Sequence, residues 1–194
     1  MIGGRTCAVL FLDESNPNDA IVVAVVASAP TSLRPPAWEL IESKTLTTAA
    51  PTIDFTNIPT EFNALRMTIF CQRTYAGVLS IALRFNDDDG TNYDVREILA
   101  SGDVVSTMTF MGYSYAIVAT VDSTHFAPSI CWIQNLEASV EKDYISIAGL
   151  GATQFRHLSG RWNNTTDRIT KISLLALILN LNTGSKAILE GTRQ

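Results

Sequence analysis

The segment "NDDDGTNYD" crowds Asp87, Asp88, Asp89, Asn92 and Asp94 into one short stretch. Oxygen-rich loops of this kind take hard cations, calcium first. The EF-hand pattern fails, however, because Gly90 at its sixth position would put Phe85 at the first. A solvated Asp/Gly turn between strands is the plainer expectation, with Asp87, Asp88 and Asp89 as a weak calcium candidate. His125 and His157 are the only histidines. A hydrolase would need one of them beside a nucleophile and oriented by a carboxylate, yet no nucleophile elbow or cysteine-protease signature is present. Cys7, Cys71 and Cys131 are widely spaced with no CxxC pair, which fits buried free thiols better than zinc. "GLGATQ" lacks the third glycine of a dinucleotide fingerprint. These residues predict no enzyme, no cofactor and no metal. The remaining functional groups are aromatic. Tyr75, Tyr113, Tyr115, Trp132 and Trp162 could stack on a sugar or form an interface, set against ordinary core packing.

The elements that must carry these groups read as strands. "LRMTIFCQR" places Leu65, Met67, Ile69 and Cys71 on one face and Arg66, Thr68 and Gln72 on the other; "TIDFT" and "VLSIALRF" alternate likewise. "VSTMTFMGY", "SYAIVATV", "ICWIQNL", "DYISIAGLG" and "KAILEG" add further candidates. "ISLLALILNL" has the apolar content of a short helix, but its β-branched context favours strand. "TNYDVREILASG" is the one candidate helical turn, and His157 in "TQFRHLSGRW" is expected in a loop. Short strands between polar turns predict an all-β protein, an antiparallel β-sandwich of jelly-roll type.

Three regions follow. Residues 1–28 form an apolar hairpin, "RTCAVLFL" and "AIVVAVVAS" around a polar turn. Both arms are apolar throughout, and a lone hairpin is marginal in water, so Val9, Phe11, Ile21, Val23 and Val25 are expected to bind a partner. Residues 29–37, "APTSLRPPA", read as a stiff linker. Residues 38–194 hold the sandwich. With 46% hydrophobic and 17% charged residues, disorder is excluded. The net charge of −5 argues against nucleic acid, which needs a basic footprint. The apolar runs fall short of a membrane-spanning helix, and acidic residues before the second run make it unlike a signal peptide.

Four segments then resemble a family. "WELIESKTLTTAAPTIDFTNIP", "FNALRMTIFCQRT", "LRFNDDDGTNY" and "GRWNNTTDRITKISLL" with "LNTGSKAILEG" occur in the order seen in a β-sandwich domain of tailed-bacteriophage virion proteins, found in tail fibre and minor structural proteins. The chain departs from it in having "LEG" for the expected "LYG", and a hairpin and proline linker where relatives carry a shaft. The resemblance implies a non-enzymatic component of the virion exterior, homotrimeric and anchored through its N-terminal hairpin to other virion proteins. Two placements follow: a tail fibre or receptor-binding component touching host surface glycan, or a capsid decoration protein on the major capsid lattice. A glycan-processing enzyme on the same scaffold is the remote alternative.

Overall fold

The structure is a computed structural model that describes residues 6–11, 20–26, 37–74, 76–136, 139–150 and 154–193. The chain divides into two compact units, Met1–Ala37 and Trp38–Gln194. In the first, β1 (Thr6–Phe11) pairs antiparallel with β2 (Ala20–Val26). A register shift between Ala8 and Val9 leaves Val23 without a counterpart in the pairing. None of the five expected partner-binding residues pairs with another: Val9 faces Val22, Phe11 faces Ala20, Ile21 faces Leu10 and Val25 faces Cys7.

The second unit is all-β, with β3 (Glu39–Thr45), β4 (Thr52–Phe55), β5 (Ala64–Cys71), β6 (Leu79–Phe85), β7 (Tyr93–Ser101), β8 (Val104–Tyr113), β9 (Ala116–Val121), β10 (Ala127–Gln134), β11 (Lys142–Leu150), β12 (Gln154–Trp162), β13 (Ile172–Ala176) and β14 (Lys186–Thr192). One sheet runs β3-β14-β5-β10-β11-β12-β7-β8 and the other β4-β13-β6-β9, all pairs antiparallel. Setting aside the hairpins β7–β8 and β11–β12, the other eight strands, counted in order, give sheets 1-8-3-6 and 2-7-4-5. That interleaving is the jelly roll expected from the strand pattern. The two inserted hairpins lengthen only the first sheet.

The alternation read in β5 positions the core. Leu65, Met67, Ile69 and Cys71 are buried against Ile81, Leu83 and Phe85 of β6 and Ile172 and Leu174 of β13, with Ala187 and Leu189 of β14 beside them. "DVREILAS" is a strand, not a helical turn: it lies in β7, whose Tyr93, Val95 and Glu97 are buried at every second position. The apolar spacing of Val95, Ile98 and Leu99 imitates a helix because the inward position Glu97 is charged. Its carboxylate sits 2.8 Å from Arg156, inside the sheet. His157 lies in the middle of β12, not in a loop.

Candidate functional site

The acidic segment proves to be an organiser of the fold. Asn86 and Asp87 take left-handed backbone at φ 50° and 59°, a conformation that Asn and Asp tolerate best after glycine. Asn86 Oδ1 accepts from the Thr170 and Lys171 amides, and its Nδ2 donates to Arg168 O. Asp88 accepts from Trp162 Nε1 (2.6 Å), Asn92 Nδ2 (3.0 Å) and the Gly90 amide (2.9 Å). Burial alone would raise its carboxyl, but these hydrogen bonds outweigh it and hold the group below the usual carboxylate range. Asp87 pairs with Lys171. Among the described residues no three His, Cys, Asp or Glu side chains are grouped as a metal site requires.

Trp162 is fully buried and so offers no face to a ligand; its ring packs on Phe85 and Tyr93 at centroid distances of 5.5 and 6.4 Å. Tyr113 and Tyr115 are half-buried, edge to face at 5.5 Å, and pack on the core with Phe110. Tyr75 lies outside the described residues. His125 is an exposed residue whose Nδ1 meets Asp122 Oδ2 at 2.9 Å. Against the effect of burial, hydrogen bonds from His125 and Thr124 hold the Asp122 carboxyl down at about 2.

Of the five aromatic candidates, Trp132 alone among the described ones is exposed, at 36%. It stands on the outer face of the long sheet, away from the core. Strand register builds that face. Trp132 lies opposite Ile145, and Ile130 opposite Ile147, whose row continues through His157 and Ile98. Ile98, Ile145 and Phe155 are each nearly half exposed, and Ile147 only slightly less. Across β10, Trp132 faces Arg66, whose guanidinium lies over the Trp38 ring at 4.6 Å and pairs with Glu190 at 2.8 Å. Trp38, Ala64, Trp132 and Ile145 line an apolar groove of about 260 Å³, with Gln134 and Asp143 also among its lining residues.

Sequence reasoning missed Trp38, a tryptophan directly after the proline linker, and the isoleucines. An exposed isoleucine in a strand has the same letter as a buried one. The signal lay in β11, "KDYISIAGL", whose two faces are both largely apolar: Tyr144 and Ala148 point inward while Ile145 and Ile147 point out. Compared with known proteins, the chain matches no family model, no curated protein and no solved structure.

Proposed function

We propose that the protein is a non-catalytic structural component of a tailed-bacteriophage virion, held to the particle by its N-terminal hairpin and making contacts through the outer face of its long sheet. The observation that carries this reading is that face. A contiguous apolar surface on a soluble domain marks an interaction site, and Trp132, Ile145, Ile147, Ile98 and Phe155 form one in adjoining register rows. The Trp38–Trp132 groove adds aromatic surface suited to a protein side chain or a sugar ring. Two of the four segments that resemble the phage family also meet in space, where Asp88 of "RFNDDDGTNY" accepts from Trp162 of "GRWNN". The hairpin supports an anchoring role because both of its strands are apolar throughout, and a two-stranded hairpin this apolar needs cover.

Purified particles test the reading. Quantitative gels and immunogold labelling should find the chain on the particle, and deleting residues 1–28 should abolish incorporation while the sandwich stays folded. A few copies at the tail would mean a fibre or adhesion component, and hundreds over the head a decoration protein. Absence from particles would overturn the virion assignment.

A further inference from the structure

Every open sheet has edges, and an unpaired edge strand offers its free N–H and C=O groups to any other strand. Among the described residues the sandwich has four such edges, and three carry protection. β3 holds Glu39, Glu42 and Lys44 among its seven residues, and its pairing with β14 is broken by a register shift. β4 is four residues long, and Lys44 Nζ donates to the Asp54 carbonyl along it. β9 is buried at all six positions, and its Ile117 and Val118 carbonyls accept from the Tyr144 and Ser146 hydroxyls of the facing sheet.

The fourth edge is different. β8, "VVSTMTFMGY", is ten residues long and contains neither a charged residue nor a proline. It pairs with β7 alone among the described residues. Val104, Val105 and Met111 are each about two-thirds exposed (66%, 69% and 64%). Its pairing with β7 is regular from Val104 to Phe110; a register shift follows before Tyr113, where Gly112 has positive φ and its amide donates to Asp94. A long, uncharged, exposed edge beside three protected ones is a pairing surface.

We infer that β8 is an assembly edge, pairing antiparallel with β8 of a second copy to join two long sheets into one. The occupant follows from the strand's composition. Antiparallel self-pairing brings residues near the middle of the strand close to their own copies across a two-fold axis, so a charge there would repel its copy. β8 has none, and its exposed hydroxyl and apolar side chains match themselves: threonines 107 and 109 fall on the sheet's outer face, opposite Ile98 and Arg96 of β7. At about 3.3 Å per residue the regular stretch from Val104 to Phe110 is roughly 23 Å long, enough for a short hydrogen-bond ladder. The contact also carries the outer face across the junction, because Ile98 lies one strand in from the edge.

The test uses the full chain. Light scattering behind size exclusion should show dimers or their multiples at micromolar concentration. T107K/T109K, which places like charges across the axis while touching no core residue, should weaken association on the order of tenfold or more and leave the sandwich folded, with its far-UV circular dichroism unchanged. In a Cys7→Ser background, T107C or M108C should form an oxidised dimer, whereas I98C on the neighbouring strand should not. Association unaltered by T107K/T109K, or crosslinking equal at residue 98, would overturn the inference. Particle incorporation is read separately, so loss of the dimer and loss of the virion assignment are distinguishable.

Discussion

Trp162 Nε1 donates to Asp88 Oδ2 at 2.6 Å, across 74 positions of sequence. The bond ties the β6–β7 turn to the end of β12. Asp88→Ala would leave the indole N–H of a fully buried ring without its acceptor and release Asn92 and the Gly90 amide. A loss of about 2 kcal/mol in urea unfolding is expected. Because the folded carboxyl lies below its ordinary value, this stabilisation is complete above the unfolded carboxylate range near about pH 4 and fades as pH falls through the folded value. D88N should flatten that acid limb.

Glu97 acts in the opposite sense. Burial raises its carboxyl against the pull of Arg156, so stability should fall as pH rises through the ordinary glutamate range, and E97Q should remove that slope. Among the described residues Glu97 Oε2 takes no hydrogen bond. Arg156→Leu alone strands a buried carboxylate and should destabilise by about 3–5 kcal/mol, while E97L/R156L should recover most of the loss. A double-mutant cycle in urea gives the numbers.

Gly160 is set by contact. A Cβ there would fall inside the ring of Tyr144, a buried residue whose hydroxyl reaches the Ile117 carbonyl. Gly160→Ala should cost about 1–3 kcal/mol, and a smaller side chain at position 144 should restore part of it. Thermal denaturation of the single and paired variants decides this.

Cys71 and Cys131 are buried free thiols. Burial pushes the Cys71 thiol up to about 12 and raises Cys131 further still. In a Cys7→Ser chain, a thiol-reactive dye should label neither until the protein is unfolded.

The jelly roll was legible because β5 alternates strictly and β6 nearly so, its exception being the buried Ala82. Where a charge is buried, legibility failed. Glu97 on the inner face made β7 resemble a helix, and β12 went unrecognised because Arg156, His157 and Gly160 interrupt any apolar pattern. The same limit governed the aromatics. Trp132 and Trp162 read alike in sequence, yet one stands on the outer face and the other fills the core beside Phe85 and Tyr93. Only long-range pairing separates them, and that pairing follows from register between strands far apart in the chain.

The placement of β14 has a consequence for synthesis. β14, the last strand of the sandwich to be made, lies between β3, the first, and β5. Until it arrives, β3 has no neighbour in its sheet and β5 presents a bare edge lined by its own core side chains. The nascent sandwich therefore stays open until β14 has been made, its closing contacts all long-range and correspondingly slow to form. A product cut short before Lys186 would lack a central strand rather than a trailing one, and chaperones and proteases would meet the exposed middle of a sheet.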